Sequence, residues 1–218
     1  MAMKITASPG GDGYVAKSST SSWSDARDAT AGSSYSSVSP YNVAAARATK
    51  MSSGRGNSWI VTRSFFTFTT SRITQVPIKA TLGVTGRTNE GTSIALVASN
   101  HGTSLSTADF DAIVGWDNSG VPNHANVTFW GPNTGISWER DVLNLIELND
   151  AARKEIASTT SSSFTCCILD YNYDLRNAEP TSGDTNYIGC YYANTTDSPK
   201  RPYIELEMDN STFIGANF

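Results

Sequence analysis

The sequence predicts an all-β protein: an antiparallel β-sandwich or jelly roll with one or two short helices. Three observations predict it. Apolar and polar residues alternate with a period of two along several segments, as in half-buried strands. Clusters of Gly, Asn, Asp and Ser separate those segments as turns do. No strand–helix–strand alternation of the kind that builds a parallel nucleotide-binding sheet runs through the chain.

The strand candidates follow in chain order. Gly13 to Lys17 opens the series. Trp59 to Thr69 is a long one, with Phe66 and Phe68 on one face. Pro77 to Thr85 alternates cleanly and places Ile78, Ala80, Leu82 and Val84 on one side. Ser93 to Ala98, Phe164 to Asp170 and Tyr187 to Tyr192 are shorter, and Val127 to Trp130 and Val142 to Leu148 are less periodic. Pro202 to Met208 turns Tyr203, Glu205 and Glu207 outward and Ile204, Leu206 and Met208 inward. Thr107 to Ile113 suits a turn or two of helix. Asn149 to Ala157 suits a better one, capped by Asn149 or Asp150 and rich in helix formers. At this length that helix persists only by packing on the sheets. The Ser-rich stretch 18–39 reads as a long surface loop anchored by Trp23, Tyr35 and Tyr41. No repeat or boundary divides the chain, so residues 1–218 form a single domain.

Composition narrows the function. The 218 residues carry 16 Lys+Arg against 20 Asp+Glu, a formal charge of −4, and no basic run. Nucleic-acid phosphates demand a basic footprint, so that partner class is not expected. Neither an apolar leader nor an 18-residue membrane-length run occurs in the sequence, which predicts neither export through a signal peptide nor a membrane helix. The neighbours Cys166 and Cys167 point to opposite faces of a strand and do not pair with each other. Either can meet Cys190 across two strands, or all three remain buried thiols, the commoner arrangement.

The candidate chemistry is sparse. His101 and His124 are the two histidines, neither with a companion at metal spacing, and each is expected in a solvated loop. Glycoside hydrolysis needs two facing carboxylates; Glu139, Glu147, Glu205 and Glu207 fall instead on outward positions. Asp170, Asn172 and Asp174 alternate. On an extended backbone they share a face and offer three oxygens to Ca²⁺, although the EF-hand pattern fails at Leu175 and Thr181. The competing reading is a loop whose Asp and Asn bond their own backbone. No organic cofactor is implied. For glycan binding, Trp116-Asp117, Trp130, Trp138, Tyr171 and Tyr173 are the candidate aromatic and polar contacts, set against the ordinary fate of Trp in a sandwich core.

The segment Arg63-Ser64-Phe65-Phe66-Thr67-Phe68-Thr69-Thr70-Ser71-Arg72-Ile73, followed by Ile78 to Val84, resembles the opening of the DNRLRE-type, carbohydrate-binding-module-like β-sandwich. Gly11-Asp12-Gly13-Tyr14-Val15, the polar helix at 149–157, the strand after it and the closing Arg201-Pro202-Tyr203-Ile204-Glu205-Leu206 are similar too. The resemblance implies a sandwich found in modules of polysaccharide-degrading enzymes and in bacteriophage particles. With its own Met and no leader, the chain fits the second setting. The expectation is a non-enzymatic virion surface protein, decorating the capsid or sitting on the tail. It would be made in the host cytosol and assemble as a homo-oligomer, a trimer, on the major capsid or a tail protein. Host polysaccharide is a further expected partner. A glycan-binding module of a degrading system is the alternative, and a glycoside hydrolase or lyase the second.

Overall fold

The computed structural model describes residues 2–54, 56–116, 126–158, 160–183 and 186–209. Among these are eleven strands: β1 (Ala2–Thr6), β2 (Gly13–Ser19), β3 (Ser34–Ser36), β4 (Tyr41–Ser53), β5 (Gly56–Thr69), β6 (Lys79–Glu90), β7 (Ile94–Ala98), β8 (Leu143–Glu147), β9 (Ser163–Asp170), β10 (Tyr187–Tyr191) and β11 (Tyr203–Glu207). Two short α-helices, α1 (Trp23–Arg27) and α2 (Asp150–Ile156), complete the regular elements with three single turns of 3-10 or π type. Every ladder between strands is antiparallel. The predicted class, an all-β sandwich, is the observed one.

One continuous sheet folds over to make both layers. Its order is β1-β11-β6-β10-β4-β5-β2-β3, with β8 on β6 and the pair β9, β7 branching from β5. β6 belongs to both layers. Lys79 to Thr85 lies against β11 and β8, and Gly86 to Glu90 against β10. The changeover falls at Gly86, where a Cβ would stand 2.1 Å from the Glu139 carbonyl oxygen; no side chain fits there.

The main core lies between the layers. Ala80, Leu82, Val84, Ile146, Ile204 and Leu206 meet Phe66, Phe68, Leu96, Cys166 and Ile168 there. A second core covers the outer face of β2, β4, β5, β7 and β9 under α1 and the loops around 105–113 and 127–129. β5 runs between the two cores, so all its residues from Val61 to Phe68 are buried, polar ones included. Cys166 faces the first core and Cys167 the second, as adjacent strand residues must. All three cysteines are free thiols.

Several local expectations are corrected. β4 was not anticipated: Ala44-Ala45-Ala46-Arg47-Ala48 is built from good helix formers, yet its partners β5 and β10 hold it extended. β1 is likewise an added edge strand, paired only with β11. Val127 to Trp130 is no strand. It covers β7 as irregular chain, giving Thr128 O to Ala98 N at 2.7 Å and taking Leu96 O with Trp130 N at 3.1 Å. Ile78 precedes β6 and is 52% exposed rather than inside. The Ser-rich stretch holds α1, capped by Ser22 Oγ on Asp25 N at 3.0 Å, and the short strand β3. Trp23 is its buried anchor, whereas Tyr35 and Tyr41 are exposed. α2 forms as expected, with Asn149 Oδ1 accepting from Ala152 N at 3.0 Å.

Candidate functional site

The polar groups singled out in the sequence divide into buried frameworks and exposed surface. The largest framework sits in the second core. Arg63, fully buried on β5, makes a two-pronged contact with Asp174: Nε donates to Oδ2 at 2.8 Å and Nη2 to Oδ1 at 2.7 Å. Its other donors reach Phe110 O at 2.8 Å and Arg27 O at 2.9 Å. Arg27 Nε donates to Asp174 O at 2.6 Å, and Arg27 Nη1 pairs with Asp28 Oδ1. Two guanidinium groups this close repel. The carboxylates of Asp174 and Asp28, together with the backbone carbonyls, offset that repulsion.

Trp116 closes this framework. The Arg63 and Arg27 guanidinium carbons lie 4.1 and 4.4 Å from its ring centroid. The half-buried indole is therefore occupied by the protein's own cations rather than presented to a sugar. Asp117 and His124 lie outside the described residues. Trp130 and Trp138 are corrected to core residues. The Trp130 ring packs 5.5 Å from Phe164 and its N–H donates to Thr165 O at 2.9 Å, while Trp138 donates to Gly189 O at 3.2 Å. Tyr171 and Tyr173 are half-buried against the second core.

The 170–174 segment is corrected too. It forms a single π-helical turn, Tyr171–Leu175, instead of an extended run. Asp170 caps that turn, accepting from Tyr173 N at 2.6 Å and Asp174 N at 3.4 Å, and its other oxygen takes the Thr92 hydroxyl. Asn172 Nδ2 reaches Thr92 Oγ1 at 3.5 Å, and Asp174 turns to Arg63. Asp170 and Asn172 thus both meet Thr92 while the Asp174 carboxylate is taken by Arg63, so the expected extended face of three side chains is not formed. Burial pushes the Asp170 carboxyl up to about 6, against the bonds from Thr92 and Tyr173.

His101 is buried rather than solvated. Its Nε2 is 2.9 Å from both Gly11 O and Thr67 Oγ1, and its Nδ1 is 2.7 Å from Ser99 Oγ. Burial lowers its pKa. The Ser99 and Thr67 hydroxyls themselves reach backbone carbonyls, Ala112 O and Gly102 O. The ring thus ties the loop before β2 to β5 and the loop after β7.

On the surface, the structure assembles a group the sequence reading did not select. Tyr41 of β4 and Tyr191 of β10 are cross-strand partners with ring centroids 5.7 Å apart. The Arg87 guanidinium carbon lies 5.2 Å from the Tyr41 ring, and Lys200 Nζ lies 5.0 Å from the Tyr191 ring. Tyr41 is 41% exposed and Val43 beside it 46%. The sequence had marked only the strand candidate Tyr187 to Tyr192, which carries Tyr191. The partner strand that completes the platform was β4, hidden by its alanines.

Compared with known proteins, the chain matches no protein-family model and no curated protein.

Proposed function

We propose that this chain is a non-enzymatic adhesion domain that works by surface contact on a bacteriophage particle. It would hold to neighbouring virion proteins and to the host surface, as a homo-oligomer, a trimer. The observation that carries this reading is the Tyr41–Tyr191 platform. Two aromatic rings stand on paired strands of a rigid sheet, flanked by two cations, with an apolar Val43 alongside. Tyr and Arg set on rigid elements are the residues that dominate contact surfaces, since they offer large area at little entropic cost. The resemblance to particle-borne sandwiches supports the setting. Many copies on a symmetric particle multiply a weak contact by roughly 10²–10⁴.

The test is co-sedimentation of labelled protein with empty capsids and with host cells, beside light scattering for the oligomer. Wild-type protein is expected to bind at least one of the two. Tyr41→Ala or Tyr191→Ala should weaken that binding by about 30-fold, the effect of removing one contact hot spot of about 2 kcal/mol. A monomer that binds neither target refutes the proposal.

A further inference from the structure

We infer that β8 is a self-pairing edge: a second copy of this chain docks antiparallel along it, so that the layer β1-β11-β6-β8 of one copy continues into that of the other. Among the described residues, four strands have a single partner strand, β1, β3, β7 and β8. Such an edge presents unpaired N–H and C=O groups, a template for another strand. Three of the four are protected. β7 is covered by irregular chain, with Ala98 N donating to Thr128 O at 2.7 Å and Ile94 N to Ile136 O at 3.0 Å. β3 is three residues long. β1 carries Lys4 at its centre, a charge that discourages pairing. β8 has none of these devices: no Pro, Lys or bulge interrupts Leu143–Glu147.

The β8 backbone is open along its free side. Val142 O accepts from Gly86 N at 2.8 Å, and Leu148 N donates to Ala80 O at 2.9 Å. Alternation then turns the N–H and C=O groups of Leu143, Leu145 and Glu147 away from β6. None of these groups has a partner among the described residues. The side chains make the edge apolar as well. Leu143 and Leu145 are 43% and 60% exposed, and they lie on the outer face because Ile146 between Leu145 and Glu147 enters the core. Gly83 stands opposite Leu145 on β6 and is roofed by the Tyr203 ring; a Cβ there would lie 2.6 Å from Tyr203 Cζ. An apolar strip therefore runs from Tyr203 to the open edge. Exposed leucines on an unguarded edge mark a contact surface.

The edge is complementary to itself, and its charges choose the register. A two-fold pairing centred on Leu145 sets that residue opposite its own copy and Leu143 opposite Glu147 of the second copy. All three exchange backbone hydrogen bonds. The leucines of both copies meet near the centre, and the two carboxylates stand at opposite ends. A centre at Asn144 would set Glu147 opposite Asp141, and like charges directly opposite are destabilising. A centre at Ile146 would set Leu145 opposite Glu147. Pairing along a five-residue strand is a small contact of the weak class, so it forms where copies are crowded. Being two-fold, it links chains in addition to any three-fold assembly. It goes beyond the adhesion reading and lies on a different part of the sheet from Tyr41 and Tyr191.

Disulfide trapping of the full chain reads the register. In the centred pairing the two Leu145 Cα atoms stand about 5.5 Å apart, within reach of a disulfide. The two Leu143 Cα atoms are separated by about 13 Å along the strands, beyond that reach. The native cysteines are buried and do not compete. Under mild oxidation of concentrated protein, Leu145→Cys should give a band of twice the chain mass that reductant reverses. Leu143→Cys should not, whereas a mixture of Leu143→Cys and Glu147→Cys chains should cross-link to each other. In sedimentation equilibrium, Leu145→Asp, which sets like charges opposite each other, should weaken two-fold association by at least about tenfold. The mixture and Leu145→Asp decide the matter if Leu145→Cys does not fold. Absence of a disulfide at 145, equal cross-linking at 143 and 145, or association that Leu145→Asp leaves unchanged overturns the pairing. Capsid or cell binding that persists in Leu145→Asp would leave the Tyr41–Tyr191 reading standing if this one falls.

Discussion

Asp12 offers the sharpest test of how this fold handles charge. The residue is fully buried. Its Oδ2 accepts the Ala193 N–H, while Oδ1 has no partner among the described residues. Burial pushes the carboxyl from its ordinary 3.8 up to about 7, with backbone hydrogen bonds from Ala193 and from Asp12 itself acting the other way. The folded chain therefore binds this proton more tightly than the unfolded chain. Stability contributed by the protonated form is fully present below about pH 4, is lost as pH climbs toward 7, and changes no further above that. At about 1.4 kcal/mol per pH unit, the interval from 3.8 to about 7 corresponds to about 4 kcal/mol. Asp12→Asn keeps an acceptor for Ala193 N–H and has no charge to desolvate. The variant should therefore gain on the wild type by about 4 kcal/mol between pH 4 and pH 8, or about 10 °C in Tm for a chain this long. Any unpaired amide hydrogen of the asparagine adds an offset that does not vary with pH, so the readout is the slope. Urea unfolding at half-unit pH steps measures it. A gap between variant and wild type that stays constant from pH 4 to pH 8 refutes the reasoning. Asp170, raised to about 6 by burial, titrates alike in both proteins and drops out of the difference.

Other outcomes follow from the same contacts. Arg63→Met strands Asp174 in the second core and should destabilise by about 3–5 kcal/mol, whereas Arg63→Met with Asp174→Leu should recover most of that loss; equal stability of the single and double variants in urea would contradict the pairing. The three thiols are buried and their pKa values are raised by burial. A thiol reagent should therefore leave native protein unlabelled and label all three in guanidinium; fast native labelling would contradict their burial. Because Asp174 is held by Arg63 and Asp170 by the turn it caps, EDTA and added calcium should each leave Tm unchanged. A rise in Tm with calcium would mean the 170–174 turn rearranges to bind it. Asn149→Ala should cost about 1 kcal/mol through loss of the α2 cap, seen as a lower urea midpoint.

The sequence by itself determined the fold class, most strands and the helix α2, because these depend on neighbours two to four positions apart. Period-two alternation located β6 and β11 and put Leu82, Val84, Ile204 and Leu206 inside; adjacency alone sent Cys166 and Cys167 to opposite faces. Tertiary structure decided what depends on partners far along the chain. β4 is a strand because β5 and β10 flank it, despite its alanines. Trp130 and Trp138 are core because β9 and β10 supply carbonyls for their N–H groups. Asp174 serves Arg63, 111 positions away, rather than a cation. Tyr41 becomes a platform only beside Tyr191. Periodicity is a local property of the backbone, whereas the burial and pairing of a polar group are set by whatever the fold brings against it.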